Sequence, residues 1–325
     1  MCVTCGCGQS EGATLSLHDG SAEAHEHVHA DGTRHLHHHH QLAPAQARAH
    51  SPAHADQPSQ MQAQMPGGGM QYQPVHTHDH AHPHEHHHHD TLQVPGRDTH
   101  TLQLEAQILG RNQRIAERNR GWLAGRGILA LNLMSSPGAG KTTLLERTLK
   151  DLQATMSIAV VEGDQETAND AERIRATGAR AVQVNTGTGC HLEADMLERA
   201  MTLLKPEPRS LLLIENVGNL VCPALFDLGE RAKVVIFSVT EGEDKPLKYP
   251  HMFGAAEVML LSKIDLMPHL RFKLDLAINN AHTINPKLKV FPVSAYTGEG
   301  LDAWYDWLRT GLAACASVNA MHAMP

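Results

Sequence analysis

Aromatic side chains are scarce in this chain, at 4% of its 325 residues, and Tyr72 is the one aromatic in the whole first hundred. Large apolar residues are few there as well. The charged groups of that stretch are three arginines against ten Asp and Glu, a balance of −7, while residues 101–325 carry 24 basic and 25 acidic side chains. A segment so poor in apolar surface cannot offset the entropy of ordering its backbone, so residues 1–100 are expected to be a disordered tail. Residues 101–325 have the length and composition of one ordinary domain.

Long apolar runs are missing too. None approaches the roughly 18 residues that cross a bilayer. The N-terminus also lacks the basic region followed by an apolar one that marks a secretory signal. A soluble, cytoplasmic protein with no membrane association is expected. A net charge of −8, with three arginines in the tail, leaves no electrostatic footprint for nucleic acid, so no such partner is expected. Six cysteines in a long chain without a signal suit metal ligation, catalysis or core filling better than disulfides.

Histidine is what the tail has in abundance: 21 of the 26 fall within residues 1–100, in runs such as "HTHDHAHPHEHHHHD". An expression tag would be compact and single. These histidines spread over 18–54 and 76–89, mixed with Asp, Glu, Ala and Pro. Flexible imidazoles at many spacings hold borderline divalent ions loosely, as a reservoir and not as one shaped site. Ahead of them, "MCVTCGCG" places Cys2, Cys5 and Cys7 within reach of one ion, and Gly6 lets the chain turn tightly around it. Thiolate with backbone or terminal nitrogen suits square-planar Ni(II) or Cu(II), whereas thiolate alone suits zinc.

From 102 to 127, "LQLEAQILGRNQRIAERNRGWLAGRG" spaces Leu104, Ile108 and Ile115 broadly as a helix does. After Gly127, apolar runs alternate with longer amphipathic stretches. The strands predicted are "ILALNLM", "SIAVVEG", "AVQVNT", "SLLLIEN", "KVVIFSV", "EVMLLSK" and "KVFPVSA". Fully apolar strands belong in a sheet covered on both faces, and right-handed crossovers make it mainly parallel. A doubly wound α/β domain is therefore expected, and "SSPGAGKTT" after its first strand, a phosphate-loop pattern, assigns it to the P-loop NTPase class.

The first of these strands runs into "SSPGAGKTT". The phosphate-binding pattern is Gly, four residues, then Gly-Lys-Ser/Thr; Gly140-Lys141-Thr142 fits, with Ser135 standing at the first Gly position. Backbone N–H groups around Gly138, Gly140 and Thr143 would cradle phosphates at a helix N-terminus. Lys141 would reach the outer phosphates, and Thr142 would ligate Mg²⁺. For the base, "LLSKIDL" carries Lys263 and Asp265, and "VSAYTGEG" carries Ser294 and Ala295. These resemble the Asn-Lys-x-Asp and Ser-Ala-Lys elements of GTPases, with Ser262 and Tyr296 substituted. Asp265 would accept from guanine N1–H and its 2-amino group, which adenine does not offer, so GTP is expected over ATP. Lys263 would lie over the base.

Two acids complete the phosphate site. "LLLIENVGNLVCP" sets Glu215 and Gly218 where many GTPases carry Asp-x-x-Gly, so Glu215 would hold Mg²⁺ through water and the Gly218 N–H would sense the γ-phosphate. "VVEGDQET" supplies Asp164 at a strand end, where an acid can approach Mg²⁺ and the attacking water. Cys190-His191 follow the third predicted strand, and Cys222 lies four residues after Gly218. Their common placement at the nucleotide end of the sheet favours a metal site over three inert core residues, with positions left for a second subunit or a partner.

Taken together, "NLMSSPGAGKTTLLE", "EGDQETANDAERI", "NTGTGCHLEADM", "ENVGNLVCP" and "SKIDL" resemble the HypB family of nickel-incorporation GTPases, which serves [NiFe]-hydrogenase maturation. The resemblance covers about 101–313 and the "CVTCGCG" element. It implies a tight nickel site at Cys2, Cys5 and Cys7, and a weaker nickel or zinc site at Cys190, His191 and Cys222 in a GTP-dependent homodimer. It also implies a metallochaperone partner, HypA, and the immature hydrogenase large subunit as client. Lys141 and Mg²⁺ would stabilise charge during GTP hydrolysis, with Asp164 positioning the water. Turnover would be slow, since no arginine finger is evident. The related urease accessory GTPases usually carry Cys-Pro-His, whereas Cys190 and His191 are adjacent, and they lack the N-terminal trio. A nickel-storage protein with a nucleotide-controlled assembly state is the other reading.

Overall fold

Every apolar run predicted as a strand forms one. The structure, a computed structural model, describes residues 14–18, 25–28, 34–37, 99–164, 169–187 and 189–322. Strands β1 (Thr14–His18), β2 (His25–Val28) and β3 (Arg34–His37) precede the long helix α1 (Thr99–Gly125). The domain then alternates β4 (Leu129–Ser135), α2 (Lys141–Leu152), β5 (Ile158–Asp164), α3 (Asn169–Ala176), β6 (Arg180–Asn185) and α4 (Ala194–Leu204). Next come β7 (Leu211–Glu215), the short α5 (Cys222–Leu225), β8 (Ala232–Ser238), α6 (Lys245–Lys248) and α7 (Pro250–Ala255). The last elements are β9 (Val258–Ser262), α8 (Leu274–Ile284), β10 (Lys289–Pro292) and α9 (Leu301–His322).

The sheet order is β1-β6-β5-β7-β4-β8-β9-β10. The seven strands from β4 to β10 run parallel, so the architecture is the expected doubly wound α/β domain. Strand β7 shows why its sequence is uniformly apolar. Leu211 and Leu213 pack into one layer with Leu145, Leu149 and Trp304, while Leu212 and Ile214 pack into the other with Leu123, Leu197 and Met201. Both faces are covered, so neither can be polar. Strand β4 lies where the order reverses, and ligands bind beyond the carboxyl ends of strands at such a point.

Two features depart from the sequence reading. Strands β1 to β3 fall inside the stretch expected to lack order. β1 joins the sheet edge antiparallel to β6, with Leu15 packed on the core layer around Val182 and Val184. An edge strand offers unpaired backbone groups, so a short segment can add to it with little apolar surface of its own. The histidine-rich remainder and the cysteine trio lie outside the described residues. In α1 the buried stripe is Asn112, Ala116, Asn119 and Leu123, while Ile108 and Ile115 are half-buried. Counting apolar residues misses it because the two asparagines are buried by bonding backbone. Asn119 Nδ2 donates to the Ala194 and Leu228 carbonyls at 2.8 and 3.0 Å. Asn112 Nδ2 donates to Asp227 O at 2.7 Å, and its Oδ1 accepts from Ala194 N at 2.8 Å.

Candidate functional site

The loop from Ser136 to Gly140 joins β4 to α2 as the phosphate-loop pattern requires. Gly140 caps α2 at φ +91°, a conformation that a side chain would strain. Ser135 does not have a positive φ, which explains why this position tolerates the loss of the pattern's first glycine. The loop borders a cavity of about 500 Å³ lined also by Lys141, Thr142, Glu215, Gly218, Arg173 and Lys263. Lys141 Nζ donates to Glu215 Oε1 at 2.5 Å, and Thr142 Oγ1 donates to the same oxygen at 2.7 Å. The other carboxylate oxygen, Glu215 Oε2, is buried without a hydrogen-bond partner. A buried anionic oxygen beside a threonine hydroxyl, on the wall of a polar cavity, is a donor set that suits a hard cation such as Mg²⁺. Asp164 ends β5 in register with Asn185; its side chain lies outside the described residues.

Of the residues expected to hold the base, Lys263 reaches the same loop and lines the cavity, together with a loop contact from Ser262, whereas Asp265, Ser294 and Ala295 do not line it. Ser262 Oγ donates to Ala139 O at 2.7 Å, and Lys263 Nζ donates to Gly138 O at 2.6 Å. Lys263 takes the left-handed conformation, φ +62°, which turns the chain from β9 towards the loop. Asp265 Oδ1 accepts from the buried Ser294 hydroxyl at 2.6 Å. The Ala295 carbonyl accepts from Arg147 Nη1 at 3.2 Å, which ties this strand end to α2. Gly218 lies against the loop from the other side; a Cβ there would stand 3.4 Å from Pro137.

Cys190, His191 and Cys222 are brought together, with ligand atoms all within 4.8 Å of one another. Cys190 Sγ is 3.2 Å from Cys222 Sγ and 3.6 Å from His191 Nδ1. Tetrahedral zinc at ordinary Zn–S and Zn–N lengths would hold sulfur and nitrogen about 3.6 Å apart and two sulfurs about 3.8 Å apart. The Cys190–His191 spacing already matches, and the two thiols need to open slightly. Burial, helped by the neighbouring Cys222 thiol, pushes Cys190 up to about 11. Burial, with Lys233 nearby, lowers His191 to about 4, so its ring is neutral and ready to ligate.

A buried polar chain links this cluster to the phosphate side. Asn216 follows Glu215; its Oδ1 accepts from Leu192 N and Val217 N, and its Nδ2 donates to Asn132 Oδ1 on β4. Asn132 in turn donates to Glu230, whose carboxylate pairs with Lys233 at 3.3 Å. Lys233 Nζ then donates to the Pro223 and Phe226 carbonyls around the end of α5, at 2.9 and 2.6 Å. The residue after His191, the helix bearing Cys222 and the residue after Glu215 are therefore held by one network. The α1 asparagines fix the two outer flanks, at Ala194 and at Asp227 to Leu228.

Sequence reading passed over Asp170 and Arg173 on α3. Asp170 Oδ2 lies 3.1 Å from Thr142 Oγ1, and Arg173 donates to Thr143 Oγ1 at 3.0 Å and to Glu146 at 2.9 Å. Both line the cavity. An acid and an arginine on a polar helix look like ordinary surface residues, and only the fold turns them inward.

A family model described as the CobW/HypB/UreG nucleotide-binding domain matches residues 129–292. A hydrogenase maturation factor HypB from Rhizobium leguminosarum bv. viciae is 57% identical over 223 residues, covering 68% of this chain and 75% of that protein. Among solved structures, HypB from Archaeoglobus fulgidus aligns with a TM-score of 0.59 and 40% identity, over 63% of this chain and 100% of that one. HypB from Helicobacter pylori in complex with nickel aligns with a TM-score of 0.59 and 37% identity, over 63% of this chain and 96% of that one. No helix among the described residues is long and apolar enough to cross a membrane.

Proposed function

The chain belongs to the HypB family of hydrogenase maturation factors, and from that premise we propose a GTPase that binds nickel and releases it according to the nucleotide held. The observation that most supports this reading is placement. Gly218 abuts Pro137 of the phosphate loop, and Cys222 lies four residues further along the same segment, in contact with Cys190. A segment ordered by a γ-phosphate would carry a metal ligand with it.

In the proposed reaction, water attacks the γ-phosphate of GTP and the products are GDP and phosphate. Lys141 exchanges Glu215 for phosphate oxygens, while the loop N–H groups from Gly138 to Thr143 cradle the phosphates. Thr142 and Glu215 would hold Mg²⁺, which supplies charge neutralisation on the phosphates. Asp164 orients the attacking water. Asp265, Ser294, Ala295 and Lys263 select and cover the guanine. The three-ligand cluster takes nickel, or zinc in its place, and a second copy of the chain completes the coordination in the GTP state. Cys2, Cys5 and Cys7 would capture nickel tightly, with the histidine-rich tail as reserve. HypA would exchange metal with this protein, and the hydrogenase large-subunit precursor would receive it.

Base selection gives a direct check. Asp265→Asn removes the charge and turns one of the two acceptors for guanine N1–H and the 2-amino group into a donor, and hydrogen bonds to a charged group are worth about 1.5–3 kcal/mol each. GTP affinity is expected to fall by about 10²-fold, with xanthosine nucleotides, which present the complementary donor and acceptor pattern, now preferred. Nucleotide competition titrations on the variant measure both. Equal turnover of ATP and GTP by the unsubstituted protein would refute guanine selection.

A further inference from the structure

The metal-cluster histidine has a second nitrogen that the three-ligand reading leaves unused. His191 is 2% exposed, and its ring lies 3.9 Å from that of Phe226, so it cannot turn to solvent. Nδ1 is the atom that faces Cys190 Sγ, at 3.6 Å. Nε2, across the ring, is buried and has no hydrogen-bond partner. The carboxylate within 4.0 Å of it is Glu193 Oε1, on a side chain that is 17% exposed. Glu193 is the N-cap of α4, yet its side chain makes no cap bond to the helix. Its backbone is fixed, because its carbonyl accepts from Leu197 N at 3.2 Å and Asn112 and Asn119 hold the next residue. Glu193 is therefore a mounted carboxylate with two rotatable methylenes, uncommitted to its own helix and pointed at an orphaned ring nitrogen. Arg111 and Asp195 are the charged neighbours acting on it.

Ligation through Nδ1 requires that nitrogen to be unprotonated, which leaves the proton on Nε2 and turns the orphan into a donor. Metal-bound imidazoles almost always give that second N–H to a carboxylate or carbonyl, which fixes the tautomer and makes the ligating nitrogen more basic. We propose that Glu193 is the positioning residue of the Cys190–His191–Cys222 metal site, accepting the His191 Nε2–H when Nδ1 holds the metal. It is not itself a ligand, since the three ligating residues cluster without it. The inference rests on the metal reading given above.

The test uses the full chain with Cys2, Cys5 and Cys7 each replaced by serine, so that thiolate–metal absorption reports the domain site. Co²⁺ is the probe, followed by its thiolate charge-transfer and ligand-field bands, and Ni²⁺ and Zn²⁺ are titrated by competition against it. Glu193→Ala is expected to weaken Co²⁺ binding 10–100-fold, the usual loss for such a partner. Glu193→Gln, whose amide oxygen still accepts, is expected to stay within a few-fold of the parent. Metal-free melting temperatures of the two variants should agree, which separates positioning from folding. Parent-like affinity and bands in Glu193→Ala, or an equal loss in Glu193→Gln, would overturn the proposal. Cys222→Ser in the same background checks the premise separately: if it leaves the bands intact, the metal site itself has been misassigned.

Discussion

Lys141→Ala is expected to lower GTP turnover by about 10²–10³-fold, the usual loss when one aimed donor is taken from a developing negative charge. The side chain is 11% exposed and its partner Glu215 is 3% exposed, so the variant also leaves a buried carboxylate without its counter-charge. Removing one partner of a buried pair typically costs about 3–5 kcal/mol. Thr142 Oγ1 still donates to Glu215, which keeps the loss towards the lower end of that range. The expected result is thus double: phosphate release nearly abolished, and a lower melting temperature in the absence of nucleotide. Pairing Lys141→Ala with Glu215→Gln separates the two effects, because the double variant leaves neither charge buried without its partner. It should melt near the parent, while phosphate release stays nearly abolished. Parent-like phosphate release in Lys141→Ala would remove the GTPase reading and favour a storage protein.

The second large effect concerns the metal. Structural zinc sites bind with roughly 10–16 kcal/mol over four ligands, so one ligand is worth about 3 kcal/mol. Cys222→Ala should therefore weaken nickel at the domain site by on the order of 10²-fold, and Cys190→Ala should do the same. The loss of Cys222 carries a further consequence that the loss of Cys190 does not. Cys222 belongs to the segment that begins at Gly218, and α5 is held through Lys233 and Glu230 to Asn132, in the strand that leads into the phosphate loop. Any influence of nickel on GTP turnover should vanish in Cys222→Ala. Nickel titrations and phosphate release, both in the Cys2/Cys5/Cys7→Ser background, measure the pair of effects. Undiminished nickel affinity in both cysteine variants would show that the cluster is not the metal site.

How much of this was legible in the sequence varies by residue type. The seven parallel strands were plain, because a strand buried on both faces must be apolar at every position, as Leu211 to Ile214 are. The phosphate loop was legible despite Ser135, since Gly140 at φ +91° and Lys141 carry the geometry. Cys190 and His191 were visible as neighbours, whereas how closely Cys222 meets them depends on a strand order that composition does not give: β6 and β7 flank β5 in the sheet. What escaped were polar residues whose role depends on where the fold turns them. Asn112 and Asn119 form half of the buried stripe of α1, yet no apolar periodicity can report an asparagine buried by its own hydrogen bonds. Arg173 and Glu193 sit on helices at positions that read as solvated. Strand β1 escaped for a different reason, since its order comes from the free edge of β6 and not from its own composition.

The central claim is that nucleotide state and metal affinity are coupled through the segment from Gly218 to Cys222. The most direct measurement is nickel affinity at the domain site, in the full chain with Cys2, Cys5 and Cys7 replaced by serine. It is compared with GDP bound and with a non-hydrolysable GTP analogue bound, while association state is followed in the same samples. Coupling of this kind is ordinarily worth about 1–3 kcal/mol, so the two affinities should differ by about 5–150-fold, with the GTP analogue and nickel together favouring a dimer. Reciprocity requires nickel to change the ratio of the two nucleotide affinities by the same factor. Equal nickel affinities in the two nucleotide states would contradict the account and leave a nucleotide-binding domain and a metal site that act independently.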